Sequence, residues 1–230
     1  MSAFPRRLGL GLVFHISPLK QCISLRVASR SSSSSSSSAS TLRDQLGMFP
    51  EYSAVQADIT SGKFKRALPA MQRMHEVVSS AMGASSTLAG LVARDRATLL
   101  QHTGNFDEAG KLLIAAKENT TDELEVIRML QHLARNRMLQ GDFARAAQEA
   151  DEGVSRCENA KAEVLPLPLI AASYSMRGLC ALHTQDWDDA EEYLQLASRW
   201  SQSPLTHLVA LHNLGCAHWA LLEQDEQHEQ

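Results

Sequence analysis

The chain has 230 residues, 44% of them apolar and 21% charged, with a formal net charge of −4, the balance of an ordinary water-soluble globular protein. Aromatic residues are only 5% of the total, which suits close helix packing better than a β-sandwich. No apolar run reaches the length of about 18 residues that a membrane-spanning helix needs, so no transmembrane span is expected. Cys22, Cys157, Cys180 and Cys216 are too far apart for a C-x-x-C pair, and none has a histidine at zinc-ligand spacing. Three of the four, Cys157, Cys180 and Cys216, lie in helical patterns and are expected as small core residues, compatible with a reducing compartment.

Residues 1–43 hold six basic groups, Arg6, Arg7, Lys20, Arg26, Arg30 and Arg43, thirteen serines and no Asp or Glu. Removing those six from the 22 basic groups leaves 16 against 26 acidic ones, so the body from residue 44 onward carries −10. Cationic and apolar residues mixed without acid are the composition of a mitochondrial presequence, with removal expected near Arg26 or Arg30. Two other readings of this segment stand beside it. Arg6 and Arg7 before residues 8–16 have the order of a secretory signal, although His15, Pro18 and Lys20 interrupt the apolar stretch, and the serine richness also suits a plastid transit peptide. The serine run 31–38 buries little apolar area and is expected as a solvated linker.

From residue 48 one short design recurs four times: Ser61-Gly62-Lys63-Phe64-Lys65-Arg66-Ala67, Thr103-Gly104-Asn105-Phe106-Asp107-Glu108-Ala109, Gln140-Gly141-Asp142-Phe143-Ala144-Arg145-Ala146 and Thr184-Gln185-Asp186-Trp187-Asp188-Asp189-Ala190. Each block is expected to end one helix and begin another. Glycine supplies the left-handed residue, the following Asn or Asp caps the next helix, and the aromatic seals the corner. Asn105 and Glu108 have capping-box spacing. After each block, small or apolar residues continue at offsets of four and three, as in Ala67, Met71, Met74, or Ala109, Leu113, Ala116, or Ala190, Leu194, Ala197, and so define one buried face. The helices before the later blocks show Leu130, Leu133 and Ala134, then Tyr174, Arg177, Gly178 and Ala181, and near the end Leu211, Leu214, Gly215 and His218. The small residues Ala134, Gly178 and Gly215 let two helices approach closely.

These motifs resemble the tetratricopeptide repeat (TPR), whose W-x2-L-G-x2-Y and A-x3-F framework they follow in degenerate form. The resemblance covers 48 to 222. It implies an all-α TPR-like solenoid of antiparallel helix pairs, with a repeat domain at 44–223, a targeting and linker segment at 1–43 and a polar tail at 224–230. The anchor alanines Ala67, Ala109, Ala146 and Ala190 lie further apart than the 34 residues typical of the family, which places extra residues at 82–86, 119–122 and 159–168. Pro69 is expected to bend or shorten the second helix of the first pair. The last pair has a first helix and no evident second one.

In the family resembled here, the first helices line a concave surface that holds an extended peptide or a partner's helix. By helical position the inward candidates are Arg94, Thr98 and Gln101, then Arg128, Gln131 and Arg135, then Ser175, Leu179 and His183, and last His212 and Trp219. Three arginines on neighbouring first helices of an acidic body favour an acidic peptide, an acidic helix or a carboxylate terminus. The co-chaperone members of the family clamp a terminal carboxylate with Lys, Asn and Arg. The matching places here hold Arg94 and Thr98, His132, and Ala172 and Met176, so that clamp is not expected.

No catalytic, metal or cofactor site is expected. Ser79 stands where a metalloprotease helix starting at His75-Glu76 would need its second histidine, and Gly9 and Gly11 do not lie between a strand and a helix. His207, His212 and His218 do not share a helix face. The acidic body opposes a phosphate backbone, which makes an organellar RNA-reading repeat the weakest alternative. The expected function is a non-enzymatic protein-binding module in the mitochondrial matrix or at the inner membrane, assembling or stabilising a larger complex such as a respiratory one, with peripheral association with a membrane complex as one mode of attachment. A permanent structural subunit of such a complex is the alternative.

Overall fold

The computed structural model describes residues 46–47, 49–160 and 165–228, and for Thr206 and residues 219–228 the backbone alone. All of them fall in the unit Ser34–Gln230. The expected targeting segment and Cys22 lie outside the described residues. Nine α-helices follow one another, with no strand among the described residues: α1 (Pro50–Thr60), α2 (Phe64–Met82), α3 (Thr87–His102), α4 (Phe106–Asn119), α5 (Glu123–Gln140), α6 (Phe143–Asn159), α7 (Leu167–Thr184), α8 (Trp187–Trp200) and α9 (Pro204–His228). None is long and apolar enough to cross a membrane.

Each helix packs on the next, and α3, α5, α7 and α9 also touch in sequence as a row of first helices. The result is an all-α solenoid of four helix pairs and one further helix among the described residues. Its core is strung along the stack as successive clusters. Tyr52, Val55, Met71 and Leu91 join α1 to α3, Leu100, Leu113, Met129 and Leu133 join α3 to α5, and Ile127, Val154, Ile170 and Ala197 carry the core onward to α8.

The repeated corners form as the sequence predicts in backbone and only in part in side chain. Gly62, Gly104 and Gly141 have φ of 73°, 83° and 80°, and Gln185 takes the same left-handed role at 62°, a conformation that costs a residue with a Cβ more than it costs glycine. Asp142 and Asp186 cap α6 and α8 by accepting from the backbone N–H of Arg145 and Asp189. Asn105 does not close a capping box. Its amide donates to Thr103 Oγ1 at 3.2 Å, and Glu108 instead pairs with Arg96 on the facing helix at 2.7 Å.

The second-helix faces are buried as spaced, with Ala67, Met71, Ala109, Leu113, Ala146, Ala190 and Leu194 all at 0% exposure. Pro69 does not shorten α2, which continues to Met82. Pro69 lies on the exposed face, as does Lys65, whose carbonyl loses its donor and is open to solvent there. α9 passes the expected boundary at 223 and reaches His228, because residues 223–228 are helix-permissive and contain neither Gly nor Pro. Two expectations for α9 fail for one reason, the lack of a second helix over it among the described residues. Cys216 is exposed while Cys157 and Cys180 are buried, and Leu211 and Gly215 are exposed rather than packed.

Candidate functional site

The row formed by α3, α5, α7 and α9 carries every residue predicted to face a partner, yet much of that set is spent inside the row. Arg94 on α3 is 12% exposed and its Nη2 lies 3.0 Å from Oε2 of Glu125 on α5. Arg128 pairs with the other oxygen of the same carboxylate, which is fully buried. Gln101 is 5% exposed and donates to Oδ1 of Asn136 at 3.3 Å, while Asn136 donates to the Phe106 carbonyl at 3.0 Å. Gln131 spans α5 to α7, donating to Oγ of Ser173 at 2.8 Å and to the Leu169 carbonyl at 3.0 Å.

Arg94, Gln101 and Gln131 thus tie neighbouring first helices together, and Arg128 braces the same Glu125 carboxylate from within α5. The physical reason is the side-by-side approach of those helices. Polar side chains on the flank lose water there and must find protein partners. Their counterparts Glu125, Asn136 and Ser173 were not anticipated. Only Glu125 had a local signal, its position three residues before Arg128 on one helix, since the other two are paired by residues more than thirty positions away.

The remaining predicted residues stay on the row. Thr98 returns its hydroxyl to the Arg94 carbonyl at 2.9 Å. Arg135, Ser175 and Leu179 are partly exposed, and His183 and His212 are exposed. The Trp219 side chain lies outside the described set. Arg177, read as part of a first-helix signature, ties three helices together. Its Nε bonds Asp151 on α6, its Nη2 lies 2.7 Å from Asp189 on α8, and its guanidinium sits 5.0 Å above the Tyr193 ring. Burial pushes the Cys180 thiol up to about 12, which keeps it protonated and unreactive at neutral pH.

The corner aromatics do more than seal their own corners. Phe64 stacks on His102 with ring centroids 4.2 Å apart, and Phe143 stacks on His183 at 4.7 Å. Each aromatic therefore holds the end of the next pair's first helix. Desolvation of the stacked rings lowers the pKa of His102 and His183 below the ordinary 6.5, although His183 as a whole residue stays exposed, and the charge of Arg135 adds to the effect at His102. Burial lowers that of His75 in the same way, helped by Arg96.

In the unfolded chain these imidazoles take a proton near 6.5, whereas the folded chain takes it only at lower pH. The unfolded state then binds more protons, so their contribution is whole above 6.5 and is lost as pH falls from there through the folded pKa. The urea midpoint is expected to be lower at pH 5.5 than at pH 7.5. Replacing His102 and His183 together by Phe, which keeps both stacks, should narrow that gap, and an unchanged gap in the double variant would reject the assignment.

Among the described residues, no group of three or more His, Cys, Asp or Glu side chains is placed to hold a metal. No protein-family model and no curated protein matches the sequence. Among solved structures, the chain is similar to the nearly identical TPR-like repeats of a Podosopora anserina kinesin light chain-like protein, with a TM-score of 0.61 at 16% identity, over 78% of this chain and 89% of that one. A point variant of the same protein superposes with a TM-score of 0.62 at 16% identity, over 78% and 88%. The fold is of the TPR type.

Proposed function

We propose that this chain is a non-enzymatic protein-interaction module that acts inside mitochondria, assembling or stabilising a larger complex such as a respiratory one. The observation that carries the reading is the row of adjoining first helices. The cross-ties hold that row rigid, and Thr98, Arg135, Ser175, His183 and His212 stand along it as side chains for recognition. Two guanidiniums around the single carboxylate of Glu125, with Arg135 two turns further along α5, leave one end of the row cationic in a body of net −10. An acidic segment, extended or helical, complements that end. The acid-free composition of residues 1–43 supports the mitochondrial location.

The test uses crosslinking of the tagged intact chain in isolated mitochondria, after protease protection has shown that it lies inside them. Arg135→Glu is the informative variant, because it reverses a charge on the row without removing a partner of the buried Glu125 carboxylate. Capture of the partner is expected to fall at least about tenfold, and by more with Arg135→Glu than with Arg135→Gln, under conditions where urea unfolding shows both variants fully folded. Undiminished capture, or a chain left accessible to protease outside the organelle, would reject the corresponding half of the proposal.

A further inference from the structure

α9 repeats the first-helix register of α7, but among the described residues it lacks the cover that α7 has. Aligning Gly215 with Gly178 places Leu208 at the position of Ala171 and Leu211 at that of Tyr174, each 37 residues later in the sequence. In α7, Ala171 is 0% exposed and Tyr174 is 8% exposed and stacked near Tyr193 of α8. Leu194 of α8 reaches so far into the Gly178 position that a Cβ built there would meet its Cγ at 2.7 Å. In α9, by contrast, Leu208 is 62% and Leu211 43% exposed, and none of the described residues lies within 4 Å of a Cβ built on Gly215. The helix therefore presents an open socket of the kind that a leucine fills one pair earlier, with two leucines on the same stripe.

Charge points to what seats there. Residues 204–222 contain no Lys, Arg, Asp or Glu, although the body from residue 44 carries −10. Two copies repel one another wherever these acidic bodies face each other, and this face is a place where they can meet without opposing like charges.

We propose that this face is a self-association surface on which two copies pair through antiparallel α9 helices about a twofold axis between Leu211 and His212. Leu208 and Gly215 lie at equal distances from that point. Seating Leu208 of one copy in the Gly215 socket of the other therefore places the reciprocal pair in register by the same operation, as an isologous interface requires. Glycine allows the close approach, and the two Leu211 side chains close the centre. The side chains beyond 218 and the proposed partner site on α5 do not enter the argument.

Light scattering and sedimentation of the intact chain over about a hundredfold range of concentration should show a monomer–dimer equilibrium. Leu208→Glu with Leu211→Glu, and separately Gly215→Leu, should each weaken the dimer at least about tenfold without loss of helix content, since all three positions are exposed. His212→Cys in a Cys216→Ser background should crosslink across the axis under mild oxidation. A chain that stays monomeric throughout, or a dimer indifferent to both sets of variants, overturns the proposal. So does a monomer that instead binds a synthetic peptide of residues 186–200 and loses that binding with Gly215→Leu, an outcome that would give the face to another protein's amphipathic helix.

Discussion

Arg94→Met is expected to lower the unfolding free energy by about 3–5 kcal/mol, the cost of leaving a buried carboxylate without one of its two cations. Glu125 has 0% exposure, and Arg94 and Arg128 are its ion-pair partners across and along the first helices. Water cannot substitute for the missing guanidinium, so the carboxylate must remain under-compensated or drive α3 and α5 apart to reach solvent. Urea unfolding followed by circular dichroism measures the loss. The companion variant Arg94→Met with Glu125→Met and Arg128→Met should recover most of it, because removing all three members of the buried cluster leaves no charge uncompensated. A loss below about 1 kcal/mol in the single variant would show that Glu125 does not depend on Arg94, since that is the range of an exposed pair.

Gly178→Val should cost about 3 kcal/mol, at the upper end of what overpacking a core imposes. The first added carbon already meets Leu194 Cγ at 2.7 Å, Cδ2 at 3.0 Å and the Leu194 backbone nitrogen at 3.3 Å. Leu194 is itself fully buried, so it has no open direction in which to move. Shortening it should relieve the clash. The double variant with Leu194→Ala is expected to cost less than the sum of the two single changes, and simple additivity would rule out the contact as the cause. Gly215 provides the opposite case from the same repeat position. With nothing within 4 Å among the described residues, Gly215→Ala should stabilise the dilute monomer by about 0.5–1 kcal/mol through helix propensity alone.

The pair Gly178 and Gly215 shows how far local pattern reaches. Both stand in an L-G or R-G step at first-helix spacing, and both are read as close-packing sites. Only one is, because whether a glycine is crowded depends on a helix that arrives from elsewhere. The polar residues of the row repeat the point. Gln101 and Gln131 have the helical phase of displayed side chains and are consumed by Asn136 and Ser173, partners set by how closely neighbouring first helices approach.

What the sequence by itself determined is the local layer: four corners with left-handed residues, alanine and leucine faces at offsets of four and three, and hence consecutive antiparallel helices. Those features depend on backbone sterics and on one helix's own periodicity, which neighbours along the chain specify completely. Tertiary structure alone decided that Glu125 pins Arg94 of the preceding first helix, which aromatics hold the next pair through His102 and His183, and which helix is left uncovered among the described residues. Each of these depends on the distance between residues separated by a whole repeat, and that distance is set by packing after the helices have formed.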